Sequence, residues 1–166
     1  MNRNKKESMI ELITLPHYDG LELPKFESTD AAGVDIRAAH AEDVVLQPGE
    51  SMVIPSGLKM HIGSHHMHSM FVELGVYGEI VPRSGLGFKH FVRLANTVGV
   101  IDADYQGEIF IKLRNEGDER ITVKRGDRIC QMIFKPYFKG IQFDVVSEFT
   151  EITDRGAKGI GSSGVK

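Results

Sequence analysis

Short runs of alternating apolar and polar residues, separated by glycine or proline, recur along most of this chain. The clearest run is Glu108–Leu113, in which isoleucine or leucine alternates with glutamate, phenylalanine or lysine. A period of two places the apolar side chains on one face of a β-strand. Many short runs of this kind with turn residues between them predict an all-β or mostly β chain. The 18 glycines agree with this prediction, because glycine adopts the backbone angles that tight turns require.

Several strands can be placed from these runs. Ser51–Pro55 and Leu58–Ile62 are apolar runs on either side of a Ser-Gly turn, and they predict two separate strands. Val34–Ala38 predicts a strand that begins after a glycine and carries Asp35 and Arg37 on its outer face. Further strands are predicted at Met9–Thr14, Asp43–Leu46, Phe91–Leu94, Ile121–Val123, Arg128–Lys135 and Val145–Ile152.

Length and charge limit the domain organisation and the partners. A chain of 166 residues is long enough for one domain with a hydrophobic core and short for two. Residues 1–152 are predicted to form this domain, with 1–8 disordered, and residues 153–166 to form a flexible, glycine-rich C-terminal arm. The formal net charge of −3 gives no reason to expect binding to nucleic acid or to an anionic membrane.

The sequence also predicts a soluble, cytoplasmic protein. No run reaches the roughly 18 apolar residues of a membrane-spanning helix. The charged residues near the N-terminus are not followed by the apolar segment of a secretory signal. Cys130 is the single cysteine, which excludes an internal disulfide. Because it lies in an apolar run, Cys130 is predicted to be a small buried hydrophobic residue.

The segment that connects Val98–Ile101 to Glu108–Leu113 has an unusual composition. The alternation on both sides predicts a β-hairpin with residues 102–107 at its tip. Structural hairpin tips favour Asn-Gly or Asp-Gly, whereas this tip contains two aspartates, a tyrosine and a glycine. From the residues alone, a solvated acidic turn and a functional turn are equally compatible with this composition.

Two further segments carry groups that suit an anionic oxygen. Pro82–His90 interrupts the strand pattern with residues that can form a helical turn, and it places an arginine, a serine hydroxyl and free backbone N–H groups together. Thr153–Gly164 is rich in glycine and contains two serines and two cations, Arg155 and Lys158, a composition that can grip phosphates. The simpler alternatives are a surface turn with a chance arginine and a frayed terminus.

Four histidines, His61, His65, His66 and His68, raise the question of a metal site. They are accompanied by no cysteine or paired carboxylates at ligand spacing, and the adjacent His65 and His66 are poorly placed for one tetrahedral site. An exposed polar loop is therefore the favoured interpretation of this stretch.

Five segments, taken in order, resemble the sequence motifs of the trimeric dUTPase family. The five are Ala32–Arg37, Pro82–Gly87, Gly99–Glu108, Arg125–Phe134 and Arg155–Gly164. The resemblance implies a mostly β subunit of distorted jelly-roll or β-clip type, and a homotrimer whose three active sites lie between subunits. It also implies the reaction: hydrolysis of dUTP to dUMP and pyrophosphate with Mg²⁺, by attack of an activated water on the α-phosphate. This hydrolase reaction of nucleotide metabolism limits uracil in DNA and supplies dUMP for thymidylate synthesis.

The resemblance assigns roles to individual residues. Asp102 corresponds to the general base that activates water, whereas Asp104 has no implied role and is interpreted as a turn residue. Asp35 corresponds to a carboxylate that meets Mg²⁺ through water. The uracil and the deoxyribose are assigned to Asn96, Gly99, Val100, Ile101, Tyr105 and Ile160. The phosphates are assigned to Arg83, Ser84, Gly85, Gln131, Arg155, Gly161, Ser162 and Ser163.

Three features depart from the family pattern. Ile160 stands where an aromatic residue is usual, so stacking over the uracil is reduced to apolar contact and weaker closure of the arm is expected. Lys158 stands where glycine is frequent, and the stretch Gly63–Val81 is longer than usual.

Two alternative functions remain open on the sequence. A dCTP deaminase shares the fold, but the tip Asp102–Tyr105 suits a hydrolase that activates water, and the fifth segment is typical of dUTPases. A non-catalytic nucleotide-binding module is the other alternative. Against it, every residue assigned to catalysis or phosphate binding is present, and only the stacking aromatic residue is missing.

Overall fold

The structure, a computed structural model, describes residues 10–63, 67–68 and 73–157. Its fold is mostly β, as the sequence predicts. The strands of these residues are β1 Glu11–Thr14, β2 Gly33–Arg37, β3 Val44–Leu46, β4 Ser51–His61, β5 Met67–His68, β6 Glu73–Pro82, β7 Val92–Leu94, β8 Gly99–Ile101, β9 Glu108–Asn115, β10 Ile121–Val123 and β11 Arg128–Phe138. The helical elements of the same residues are a 3₁₀ helix at Pro16–Tyr18 and a short α-helix, α1, at Ser84–His90. Neither is long and apolar enough to cross a membrane.

The strands pair in an antiparallel manner and form three sheets. A four-stranded sheet has the order β1-β4-β9-β7. A five-stranded sheet has the order β2-β11-β6-β5, and β8 also pairs with β6. β10 and β3 form a two-stranded sheet. Most paired strands are not consecutive in the chain, so long-range pairings rather than a series of hairpins hold the fold together.

The two larger sheets contribute to one hydrophobic core. The alternation predicted for β9 is confirmed, since Ile109, Ile111 and Leu113 are buried whereas Phe110 and Lys112 are exposed. Burial of each such isoleucine or leucine stabilises the fold by about 1.5–3 kcal/mol. The other strands add buried side chains to the same core, among them Val34, Ile36, Ile54, Leu58, Met60, Ile129, Cys130 and Met132.

β4 is a single strand, so the two separate strands predicted for this stretch are wrong. Its pairing with β9 shifts register between Pro55 and Lys59, and the residues between them form a bulge that bends the strand without ending it. Gly57 has a φ angle of +68° at this bulge. A Cβ on Gly57 would also lie 3.0 Å from Tyr18 Cβ, so glycine satisfies both the backbone angle and the close packing.

The hairpin predicted around residues 102–107 is also wrong. β8, on the N-terminal side of this turn, pairs with Gly78–Ile80 of β6. β9, on the C-terminal side, pairs with β4 and β7 in the other large sheet. Because both flanking strands find partners elsewhere, the turn connects two sheets rather than two paired strands.

Part of the long stretch Gly63–Val81 belongs to the five-stranded sheet. β5 pairs with the start of β6, with Met67 opposite Leu74. β6 in turn runs along β11 as far as Leu74 opposite Phe138. The described part of this stretch therefore extends a two-stranded ribbon of β6 and β11.

No strand follows β11 within the described residues, so the strand predicted at Val145–Ile152 is wrong. The apolar side chains of this segment have no core to join. Three of them are almost fully exposed, namely Val145 at 96%, Phe149 at 89% and Ile152 at 96%, as is the preceding Phe143 at 93%.

Candidate active site

Three side chains contact a buried carboxylate where β2, β11 and β6 lie side by side. Asp35 is opposite Gln131 in the pairing of β2 with β11. Arg83 Nε forms an ion pair with the Asp35 carboxylate at 2.9 Å, and Arg128 Nη1 donates to the same carboxylate at 3.1 Å. Gln131 Nε2 donates to the same carboxylate at 3.4 Å. Asp35 is only 8% exposed, and the prediction that it lies on an exposed outer face is wrong because two guanidinium groups cover it.

Asp35, Arg83, Arg128 and Gln131 are here called the Asp35 cluster. The strand pattern does not mark Arg128 as a member of this cluster. Regular alternation would place Arg128 and Gln131, three positions apart, on opposite faces of β11. The pairing of β11 with β2 shifts register between Arg128 and Cys130, and this irregularity brings both side chains to Asp35. Two guanidinium groups against one carboxylate leave an excess positive charge, so their remaining N–H groups can bind anionic oxygens.

The start of α1 lies beside the Asp35 cluster. Arg83 precedes the helix in an extended conformation. Ser84 and Gly85 follow in the first helical turn, where backbone N–H groups have no partner within the helix. A cavity of about 410 Å³, here called the basic cavity, opens at this point. Its charged or titratable lining residues are Arg83, Lys89, His90, Arg128 and Asp127. The excess of cations suits an anionic ligand.

The residues assigned to the nucleoside meet in another cavity, of about 320 Å³, here called the nucleoside cavity. Residues of β8, of β9 and of the turn between them line it. The residues assigned from the sequence that lie in its wall are Asn96, Gly99, Val100, Ile101, Asp102 and Tyr105. Glu108, Phe110 and Lys112, which carry no role in the sequence prediction, also contribute to the wall.

Two backbone features shape the wall of this cavity near Asn96 and Gly99. Thr97 has a φ angle of +66°, and its N–H donates to Leu94 O at 3.1 Å, so the chain turns sharply after β7. Gly99 then lies against β6, where a Cβ would be 3.1 Å from Ile80 Cβ. The missing side chain lets β8 approach β6 and completes this wall of the cavity.

Asp102 and Asp104 differ in their surroundings. Asp102 is exposed at the start of the turn, and its C=O accepts from Tyr105 N–H at 3.1 Å. It borders both the nucleoside cavity and a larger cavity of about 740 Å³ whose wall includes Tyr77 and Tyr137. Asp104 contributes to the larger cavity and not to the nucleoside cavity. Of the two aspartates, Asp102 alone lies in the wall of the nucleoside cavity.

Cys130 is fully buried, as predicted, next to Gln131 in β11. Burial raises the pKa of its thiol, and the negative charge of Asp35 raises it further. The thiol therefore stays protonated and does not supply a thiolate to the site.

The described residues contain no group of three or more His, Cys, Asp or Glu side chains that could hold a metal ion. His61 Nδ1 lies 3.0 Å from Glu11 Oε2, His65 and His66 lie outside the described residues, and only the strand position of His68 is described. The Asp35 cluster offers one carboxylate, whose oxygens already pair with two arginines. These residues do not fit a cage of protein ligands, but they fit a Mg²⁺ ion held mainly by phosphate oxygens and water.

The C-terminal site residues are described only in part. Arg155 lies in an exposed bend and lines neither the nucleoside cavity nor the basic cavity. The remaining residues of this group lie outside the described residues, namely Lys158, Ile160, Gly161, Ser162 and Ser163. Within the described part of one chain, the residues assigned from the sequence form two groups, one around Asp35 and one at the nucleoside cavity.

Known proteins resemble this chain over most of its length. Residues 19–164 match the family model described as dUTPase. The deoxyuridine 5'-triphosphate nucleotidohydrolase of Hahella chejuensis is 41% identical over 146 residues, which are 88% of this chain and 89% of the relative. The protein of the same name from Shewanella pealeana is 40% identical over 159 residues, 95% of this chain and 97% of the relative.

A solved structure shares the fold as well. The dUTPase of Staphylococcus bacteriophage 80alpha with dUPNHPP matches with a TM-score of 0.78 at 25% sequence identity, and the match covers 95% of this chain and 99% of that chain. The sequence and structure matches thus include both groups of residues described above.

Proposed function

This chain belongs to the dUTPase family and hydrolyses dUTP as a dUTP diphosphatase, and we propose that the two groups of residues described above are the two halves of its active site. The observation that carries the proposal is the nucleoside cavity, whose wall combines Asp102 with Asn96, Gly99 and Tyr105. The products are dUMP and pyrophosphate, so the reaction limits uracil in DNA and supplies dUMP for thymidylate synthesis. The cytoplasmic location stays a prediction.

The nucleoside cavity can select uracil by hydrogen bonding. Uracil presents an acceptor, a donor and an acceptor along one edge, which backbone groups of Gly99–Ile101 and the Asn96 amide can complement. Cytosine would leave some of these groups unpaired, and an unpaired buried polar group costs about 1–3 kcal/mol. Tyr105 packs against the deoxyribose in this proposal, where a 2′-hydroxyl would need space.

Asp102 is the general base in the proposed mechanism. Its carboxylate takes a proton from a water molecule while the water oxygen attacks the α-phosphorus. The bond from the α-phosphorus to the oxygen that bridges to the β-phosphorus breaks, and pyrophosphate leaves. The exposure of Asp102 at the wall of the nucleoside cavity supports this role, because both water and a bound nucleotide can reach it.

The triphosphate binds at the Asp35 cluster in this proposal. Arg83 and Gln131 donate to its oxygens, and Ser84 and Gly85 add a hydroxyl and backbone N–H groups. Asp35 would hold Mg²⁺ through water, and the bound ion would supply positive charge that offsets the charge of the phosphate oxygens. With this charge offset and the phosphates fixed, a nucleophile can approach the phosphorus.

Other copies of the chain complete the site in a proposed homotrimer. The separation of the described site residues into two groups supports this arrangement. So does the exposure of large apolar side chains after β11, since extended apolar surface usually marks an interaction site. Residues 1–152 then form the body of the subunit and residues 153–166 the arm. The arm residues that close over the nucleotide are Arg155, Ile160, Gly161, Ser162 and Ser163.

Two measurements test the assembly and the arm. Native mass spectrometry should give three times the mass of the chain, and a monomer would refute the shared site. Removal of residues 154–166 should slow hydrolysis strongly while the far-UV circular dichroism spectrum stays unchanged. A truncated protein with the full rate would refute closure by the arm.

Pyrophosphate release from dUTP, dCTP, dTTP and UTP in the presence of Mg²⁺ tests the proposed chemistry. We expect a strong preference for dUTP, whereas ammonia release from dCTP would indicate a deaminase. Asp102→Asn should lower kcat by about 10²–10⁴-fold and retain nucleotide binding. Asp104→Asn is the matched control and should keep nearly the wild-type rate. Equal effects of the two substitutions would refute the assignment of the base.

A further inference from the structure

Two contacts within its own turn hold the Tyr105 side chain. Tyr105 Oη donates to the backbone oxygen of Glu108 at 2.8 Å. The ring lies on Gly107, where a Cβ would be only 2.6 Å from Tyr105 Cζ. Because Tyr105 is 41% exposed, these local contacts rather than core packing decide where the ring lies.

The side chain of Glu108 fixes the start of β9. Glu108 Oε1 accepts from the Gly57 N–H at 2.9 Å and from His17 Nε2 at 2.8 Å. The side chain is only 14% exposed, so water competes little for these bonds. A carboxylate that accepts two such bonds holds the backbone of its own residue in one position.

Both partners of Glu108 belong to well-packed parts of the fold. Gly57 lies in the β4 bulge against Tyr18, and its C=O accepts from Leu15 N–H at 2.8 Å. His17 lies in the 3₁₀ helix next to Tyr18, which is 3% exposed. The Glu108 carboxylate therefore connects the end of the Asp102–Gly107 turn to the hydrophobic core.

We propose that Glu108 is a positioning residue, which holds Tyr105 in place and thereby sets the preference of the enzyme for deoxyribonucleotides over ribonucleotides. The connection runs from the carboxylate to the Glu108 backbone oxygen, from there to the Tyr105 hydroxyl, and so to the ring. Exclusion of a 2′-hydroxyl is steric, and a ring that can move away no longer excludes it. This inference rests on the proposed contact of Tyr105 with the deoxyribose.

The ratio of kcat/KM for dUTP to kcat/KM for UTP tests the proposal. Glu108→Ala should lower this ratio at least tenfold. Glu108→Gln should retain most of it, because the amide oxygen still accepts from the Gly57 N–H. Glu116→Ala is the control, since Glu116 is exposed, pairs with Arg93 and lies outside the nucleoside cavity; its ratio should match the wild type. A folded Glu108→Ala variant with an unchanged ratio would overturn the proposal.

A second set of variants asks whether Glu108 acts through the tyrosine hydroxyl. Tyr105→Phe removes the hydroxyl and keeps the ring. Glu108→Ala should then lower the ratio little further in the Tyr105→Phe background, because coupled residues give non-additive effects. Fully additive effects would overturn the proposal. If Glu108→Ala does not fold, His17→Ala replaces it, because this substitution removes one donor to the Glu108 carboxylate. His17→Ala should also lower the ratio. An unchanged ratio in this variant would overturn the proposal.

Tyr105→Ala separates this inference from the proposed function. If this substitution leaves the ratio unchanged, the proposed contact with the deoxyribose fails and the inference fails with it. If Tyr105→Ala lowers the ratio and Glu108→Ala does not, the inference alone fails.

Discussion

Replacement of Asp35 by asparagine tests what holds the proposed phosphate-binding residues together. The substitution keeps the size of the side chain and one carbonyl acceptor. It removes the negative charge with which Arg83 and Arg128 form ion pairs at 2.9 and 3.1 Å. Two guanidinium groups would then face a neutral buried side chain and repel each other. We therefore expect Asp35→Asn to destabilise the fold as well as to weaken phosphate binding.

The size of the effect follows from the exposure of the three side chains. Asp35 is 8% exposed, Arg83 25% and Arg128 42%. Breaking a buried ion pair costs about 3–5 kcal/mol, whereas an exposed pair contributes about 0–1 kcal/mol. Because the carboxylate is buried and the guanidinium groups are partly exposed, we expect a loss of about 2 kcal/mol. This value is within the range for hydrogen bonds to charged groups, about 1.5–3 kcal/mol.

Urea unfolding followed by far-UV circular dichroism measures this free energy by linear extrapolation. Wild type and variants are compared at one protein concentration, because assembly makes apparent stability depend on concentration. The control is Asp118→Asn in an exposed turn after β9, for which we expect a change within about 0.5 kcal/mol. If Asp35→Asn were as stable as Asp118→Asn, the reasoning that Asp35 is the counter-charge of this cluster would be refuted.

Three further substitutions or reactions have defined outcomes. Gly107→Ala should displace the Tyr105 ring, because a Cβ there would lie 2.6 Å from the ring Cζ. We expect the KM for dUTP to rise about tenfold with little change in the urea midpoint. An unchanged KM would contradict the packing of the Tyr105 ring on Gly107. Cys130 should resist a disulfide-exchange reagent in the folded protein and react after denaturation, because burial raises the pKa of its thiol; rapid labelling of the folded protein would show that the thiol is accessible. A hydrogen bond from Lys135 lowers the pKa of Glu79, so the stability that this carboxylate contributes is present above pH 4.5 and is lost as the pH falls below that value. The difference in stability between wild type and Glu79→Gln should therefore shrink on acidification, and a constant difference would argue against the interaction.

The strand content could be predicted from the sequence, but the strand partners could not. Alternation along Glu108–Leu113 reports which side chains are buried, and the structure confirms it. The same alternation is compatible with a hairpin or with a crossover, because a strand shows its buried face in the same way whichever strand lies beside it. The pairing of β8 with β6 depends on the tertiary fold, including the space that Gly99 leaves against Ile80. The residues adjacent to Gly99 in the sequence do not indicate its contact with Ile80.

The candidate site shows a similar division. The family resemblance led to residues that line the nucleoside cavity and to Arg83, Asp35 and Gln131. Arg128 could not be found by strand alternation, because an irregularity in the β11 pairing changes the direction of its side chain. The burial of Asp35 could not be predicted from its neighbours either, since it depends on two arginines that are distant in sequence. Where the backbone departs from regular geometry, residue spacing no longer reports which side chains meet.

A turn that connects two sheets is held differently from the tip of a hairpin. In a hairpin, the hydrogen bonds between the two strands continue up to the turn. Here β8 and β9 pair with other strands, and separate contacts hold the turn: Ala103 O accepts from Gly63 N–H at 2.8 Å, and Tyr105 donates to Glu108. Each bond contributes only about 0.5–1.5 kcal/mol, so one substitution can shift the turn while the sheets stay folded. Changes at Gly107 and Tyr105 should therefore alter KM and sugar selectivity more than the stability of the fold, because the turn positions Asp102 and Tyr105 whereas the sheets bury the core.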